Sequence, residues 1–151
     1  MKIRLLLGLV GLAIGFAPPT FAQEQNTVDP EVRQQIEAIE MKFVEAYNKH
    51  DVATISALHT QDAVEVRAAG GGTRAGTFSG RQAIEKMFAA DFASNTGRLV
   101  SELVQVYAID ENNICAIANS SVGTWKAYTV SAYVRALDGT WKVHMTYVNP
   151  L

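Results

Sequence analysis

A chain of 151 residues with 13 basic and 15 acidic side chains has room for one domain, and its net charge of −2 gives no broad attraction to nucleic acid or acidic membranes. The single cysteine, Cys115, excludes an intramolecular disulfide. With 48% apolar residues the composition is that of a globular protein.

Lys2 and Arg4 precede an apolar run, Leu5 to Ala17, and no acidic residue occurs before Glu24. A basic start, about 7–15 apolar residues and a small-x-small site describe a secretory signal peptide. Thr20-Phe21-Ala22 supplies that site, so residues 1–22 are expected to be cleaved and the product to be periplasmic or secreted. The run is shorter than the ~20 apolar residues of a membrane span. Loss of Lys2 and Arg4 takes the balance to 11 basic against 15 acidic residues, with no membrane association expected afterwards.

Residues 23–31 read as a polar leader and helix cap, and residues 32–151 as the folded domain. Asp29-Pro30-Glu31 is a strong helix start, with Asp as N-cap and Pro at the first helical position. Ile36, Ile39, Phe43, Ala46 and Tyr47 recur at helical spacing and form one apolar stripe. After a break at Asn48-Lys49-His50, Asp51 caps a short helix running to about His59. Ala63 to Arg67 alternates as a half-buried strand does. Gly70 to Gly76 reads as a glycine-rich loop or loose hairpin, without the Gly-Lys-Ser/Thr of a phosphate loop. The spacing predicts a third helix opening at Ser79, where Gln82 would complete a capping box. Its stripe is Ile84, Met87, Phe88 and Phe92. Four strands follow, Leu99–Ile109, Ile114–Trp125, Tyr128–Leu137 and Thr140–Val148, with Asp138-Gly139 as a favoured hairpin turn. Short connections between consecutive strands imply an antiparallel sheet. The expected class is α+β, helices on one face of the sheet.

That order, with Phe43-Val-Glu-Ala-Tyr-Asn48, Asp51, Leu58, Asp62-Ala63, Gly80 and Asp138-Gly-Thr-Trp141, resembles the nuclear transport factor two-like superfamily. Ketosteroid isomerase, the SnoaL-like polyketide cyclases and the kinase II association domain belong to it. The likeness covers about residues 32–148 and is closest to small exported SnoaL-like domains of undefined activity. It implies a cone-shaped α+β barrel, with a long N-terminal helix and two further helices packed on a curved, mostly antiparallel sheet around a pocket. Placed on ketosteroid isomerase, Phe43 falls where a helix tyrosine donates, Arg67 near the general-base aspartate, and Tyr133 near the protonated acid. The isomerase's catalytic groups do not carry over, and steroid-type isomerisation is not expected.

The same placement puts Tyr133 and His144 toward the cavity from neighbouring strands, as a proton-handling pair or as ordinary strand residues. In the last strand Trp141, Val143, Met145 and Tyr147 would share one face, with Lys142, His144 and Thr146 on the other. Glu65 and Arg67 read as an acid/base and an anion clamp, or as a surface ion pair with Val64 and Val66 toward the core. The alternation favours the surface pair. Phe43, Tyr47, Phe88, Phe92 and Thr146 complete the candidate lining, with the Tyr47 hydroxyl in the pocket or satisfied elsewhere. Arg67, Arg74 and Arg81 bracket the glycine loop and offer a carboxylate or phosphate site, or stay solvated. His50, His59 and His144 lack zinc spacing, and no nucleotide or nucleophile motif occurs, so no metal or cofactor is expected. The expected function is binding of a small apolar or amphipathic molecule, by a homodimer. The alternatives are a cofactor-independent acid–base enzyme of isomerase, dehydratase or cyclase type, or a non-catalytic dimerisation module.

Overall fold

In the computed structural model the described residues are 28–70, 74–94 and 97–151. The expected signal segment, most of the leader and the centre of the glycine loop lie outside them. Three helices and six strands follow in the order α1 (Pro30–Asn48), α2 (Val52–Leu58), β1 (His59–Arg67), β2 (Gly76–Ser79), α3 (Arg81–Ser94), β3 (Leu99–Asp110), β4 (Asn113–Val122), β5 (Trp125–Arg135) and β6 (Trp141–Pro150).

The caps are local chemistry. The Asp29 carboxylate accepts from the Glu31 amide at 2.8 Å, and Pro30 sits where no amide partner is needed. α1 closes with His50 in the left-handed region, φ 56°. The His50 amide donates to the Tyr47 carbonyl at 3.0 Å and the Asp51 amide to Ala46 at 2.8 Å, satisfying two terminal carbonyls. Asp51 then caps α2 by accepting from the Thr54 amide at 3.0 Å and its hydroxyl at 2.6 Å.

The sheet order is β2-β1-β6-β5-β4-β3, with β1 parallel to β6 and every other pair antiparallel. It is curved and unclosed, so β2 and β3 are edges rather than a barrel seam. β1 starts at His59, four residues before the expected Ala63, and β2 lies where a loop was expected to end. Ser79 pairs with Val64 in that ladder, so it is not the helix cap. Gly80, φ 86°, precedes the helix instead, its carbonyl accepting from the Ala83 and Ile84 amides at 3.0 and 3.2 Å.

Two buried clusters hold the helices to the inner sheet face. Ile36, fully buried on α1, packs with Val106, Ile114, Tyr133, Trp141 and Val143; burying that one side chain contributes about 1.5–3 kcal/mol. Ile55, Ile84, Met87 and Phe88 form the second cluster with Ala46 and Ala63, and Phe43 and Tyr47 pack against it. The outer sheet face leaves Val104, Tyr107, Ile109, Tyr128, Met145 and Tyr147 exposed. Among the described residues no helix is long and apolar enough to cross a membrane.

Candidate functional site

Between the two clusters lies a cavity of about 180 Å³, bounded by α1, α3 and the inner faces of β1 and β3–β6. Its helix wall is aromatic: Phe43 meets Phe88 edge to face with ring centroids 5.8 Å apart, and Tyr47 meets Phe88 at 6.3 Å. The sheet wall is partly hydroxylated. Ser101 Oγ lies 3.3 Å from Ser120 Oγ, which lies 3.3 Å from Thr129 Oγ1, a row crossing β3, β4 and β5.

Tyr133, fully buried on β5, donates its hydroxyl to the Glu40 carboxylate on α1. Burial pushes the Glu40 carboxyl above its ordinary value, and the Tyr133 bond only partly offsets that. Burial also pushes the Tyr133 phenol well above its usual range, and the Glu40 charge adds to the shift. The phenol therefore stays protonated and serves as the donor to Glu40.

At the other side of the cavity, β1 directs Glu65 and Arg67 inward, 3% and 9% exposed. Arg67 Nε donates to Glu65 Oε1 at 2.6 Å, and Nη1 donates to the Asp91 carboxylate on α3. Its Cζ stands 5.1 Å from the Phe88 ring centroid. Burial disfavours the guanidinium charge, but the two carboxylates outweigh it and hold Arg67 protonated. The surface reading of Glu65 and Arg67 is overturned, and so is a free anion clamp, because the cation already faces two carboxylates. Arg74 is exposed, and Arg81 donates to the His59 carbonyl, Nε at 3.1 Å; the three arginines do not converge.

His59 is a cavity residue that sequence reasoning passed over. Its Nδ1 lies 2.8 Å from the Ile55 carbonyl, which can only accept, so Nδ1 carries the proton and Nε2 is left an acceptor. Burial holds this imidazole below its usual value. Trp125 also lines the cavity, and its buried indole N–H has no partner. The expected turn near Lys126 is instead at Gly123-Thr124, with Val122 paired to Trp125 and Gly123 at φ 61°. A Gly-X loop of two residues is a favoured hairpin, and that signal was present in Val-Gly-Thr-Trp.

His144 does not join Tyr133. Ala132 pairs with Met145 and Tyr133 with Val143, so His144 is one extra residue in β6. The bulge reverses the alternation beyond it. Trp141 and Val143 point inward, then Thr146 and Val148, while Met145 and Tyr147 face out. His144 lies outside the cavity, 42% exposed, with Nδ1 3.1 Å from Thr60 Oγ1 and 3.6 Å from Asp62. Phe92 also falls behind the lining, against Tyr47 at 5.0 Å and stacked on His50 at 4.6 Å. Phe43, Tyr47, Glu65, Arg67, Phe88, Tyr133 and Thr146 do line the cavity. Glu40 was missed although Ile36 and Phe43, four before and three after it, put it on the apolar stripe of α1. Among the described residues no three His, Cys, Asp or Glu side chains are grouped so that they could hold a metal ion.

The SnoaL-like domain family matches residues 41–144 of the chain. No protein with a curated description matches. Among solved structures, a ketosteroid isomerase-like protein from Erwinia carotovora atroseptica superposes with a TM-score of 0.71 at 14% identity, covering 82% of this chain and 98% of that one. A nuclear transport factor two-like protein of unknown function from Pseudomonas putida gives 0.64 at 19%, covering 82% and 89%. A calcium/calmodulin-dependent protein kinase type II association domain from Thiobacillus denitrificans gives 0.64 at 17%, covering 76% and 94%. These likenesses concern the fold alone. With the family matched over residues 41–144, more than half of the chain, and the helix-covered, curved sheet in place, the chain belongs to the SnoaL-like domain family.

Proposed function

We propose that this is an exported SnoaL-like domain that binds a small apolar or amphipathic molecule in the cavity under α1. The observation that carries the reading is the cavity itself, about 180 Å³ with an aromatic helix wall and a buried Trp125 N–H facing no acceptor. The Trp141 N–H is likewise buried without a partner, but it is Trp125 that lines the cavity, where its donor is a place for a ligand acceptor or a water. Native mass spectrometry of protein purified from its own host tests this. A retained small molecule, lost on unfolding, is expected. An empty protein whose melting temperature moves with no hydrophobic ligand would sink the reading, because ligand at 100 times its Kd should stabilise by ~2.7 kcal/mol.

A second reading is proton transfer, and the Glu40–Tyr133 pair favours it. A carboxyl raised by burial can take a proton from carbon beside a carbonyl and return it elsewhere, while Tyr133 fixes its orientation. Turnover unaffected by Glu40→Gln would remove that assignment. We also propose a homodimer through the outer sheet face, on the strength of its exposed Tyr107, Met145 and Tyr147. Light scattering giving a monomer would end that proposal. Export rests on Lys2, Arg4 and the Leu5–Ala17 run, and fractionation of the native host checks it.

A further inference from the structure

The charges around the cavity are lopsided. Three carboxyl groups line it, Glu40, Glu65 and Asp91, against one guanidinium, Arg67. That guanidinium is already charge-paired: Nε donates to Glu65 at 2.6 Å, Nη1 donates to Asp91, and Phe88 covers a face at 5.1 Å. His59 adds no positive charge, since its Nδ1–H is turned to the Ile55 carbonyl and Nε2 remains a lone pair. The Ser101, Ser120 and Thr129 hydroxyls donate as well as accept on the sheet side, and with the Trp125 N–H they suit a neutral oxygen without changing the sign of the charge there. The groove outside, between α1 and β3, shares Glu40 and Ser101 with the cavity and sets Glu37, Glu40 and Glu45 against Lys49 and Arg98. Lys49 is itself paired to Glu45 at 2.6 Å. The excess of carboxyl groups over cations therefore belongs to the cavity, since in the groove Arg33 pairs Glu37, Lys49 pairs Glu45 and Arg98 adds a further cation.

We infer that the cavity selects an apolar ring bearing a protonated amine, and discriminates against the same ring bearing a carboxylate. This rests on the cavity being a ligand site. The ring packs against Phe43 and Phe88, and the ammonium supplies donors to the carboxylates and to His59 Nε2. A carboxylate would find the Arg67 charge already neutralised by two carboxylates and would be buried beside Glu65 and Asp91, where an unpaired like charge is costly. Selection is by repulsion as much as by attraction.

Isothermal titration calorimetry with naphthylmethylamine, naphthylmethanol, naphthoate and naphthalene, each with the same attachment position, tests the inference on the mature protein. The amine is expected to bind at least about tenfold more tightly than the carboxylate, with the alcohol between them. Asp91→Asn keeps an acceptor for Arg67 but removes one of the two charges that neutralise it, and is expected to narrow the gap by strengthening naphthoate. Should that variant not fold, Glu40→Gln, on another element, is expected to weaken the amine while leaving the alcohol in place. Naphthoate binding as tightly as the amine, or an amine-to-carboxylate ratio unmoved by whichever of the two variants folds, overturns the selectivity and leaves the binding site standing. Binding of none of the four, naphthalene included, takes down the ligand-site reading and this inference with it.

Discussion

The Tyr133 hydroxyl reaches across the cavity from β5 to the Glu40 carboxylate on α1, joining residues 93 apart in the chain. It is the polar counterpart of Ile36 packing into the sheet one turn earlier on the same helix face. A hydrogen bond to a charged group typically contributes about 1.5–3 kcal/mol. Tyr133→Phe is expected to cost that much in denaturant unfolding, and Glu40→Gln less, because the amide oxygen still accepts. The double variant should cost less than the sum of the two. Additive losses would show that the pair is not coupled.

Stability should depend on pH through Glu40 and His59 in opposite senses. Glu40 is raised above its usual 4.5 by burial, so the folded state holds that proton more tightly. Its contribution is full below pH 4.5 and is lost as pH rises through the folded value. His59 is lowered from 6.5 by burial, so its contribution is present above pH 6.5 and is lost as pH falls through the folded value. Relative to wild type, Glu40→Gln is expected to lower the melting temperature less at about pH 8 than at about pH 5. His59→Asn, whose amide can still donate to Ile55, should flatten the acid side. Parallel curves for wild type and both variants would contradict the assignment.

The Glu65–Arg67–Asp91 set is a buried ion network and not a surface pair. Removing one member of such a set leaves an uncompensated buried charge, at a cost of about 3–5 kcal/mol. Arg67→Met is expected to destabilise by that order, since Glu65 at 3% exposure would lose its counter-ion. Adding Glu65→Leu to it should recover much of the loss, because it removes the most deeply buried carboxylate and leaves only Asp91, whose side chain is 20% exposed. Chemical denaturation of the single and double variants measures this; a double variant weaker than Arg67→Met refutes it.

The frame was legible in the sequence where periodicity and capping agreed: α1 from Asp29-Pro30 onward, α2 from Asp51, and the meander from its turns. The site was less so, for three physical reasons. Ala63 to Arg67 alternates Val against Glu and Arg, and the rule that charged groups face water fails where they neutralise each other inside. One extra residue at His144 inverts the faces of β6 beyond it, and a bulge has no local signature in His-Met-Thr-Tyr. Glu40 lay on a legible stripe, but its partner Tyr133 comes from a strand whose register depends on the Gly123-Thr124 turn. Contacts across the fold are set by that register, which periodicity alone does not supply.

Asn48 ties the end of α1 to the sheet beside the cavity. At the end of the helix the Asn48 side chain donates Nδ2–H to the Leu99 carbonyl at 3.0 Å and accepts the Leu99 amide on Oδ1 at 2.7 Å. An amide side chain thereby pairs with the first residue of edge strand β3 as a neighbouring backbone would. Leu99 is 5% exposed, so neither of its backbone groups has ready access to water. Asn48→Ala strands both, at a cost of about 1–3 kcal/mol for a buried unsatisfied group. Asn48→Asp keeps the acceptor, loses the donor and sets a carboxylate against the Leu99 carbonyl, so it should be no better than alanine. Asn48→Gln carries both groups one methylene too far and should fall between alanine and wild type. Hydrogen exchange locates the effect: in Asn48→Ala the Leu99 amide and the last turn of α1 should lose protection while β5 and β6 keep theirs. Uniform loss across all strands would mean that Asn48 supports the whole domain rather than this junction.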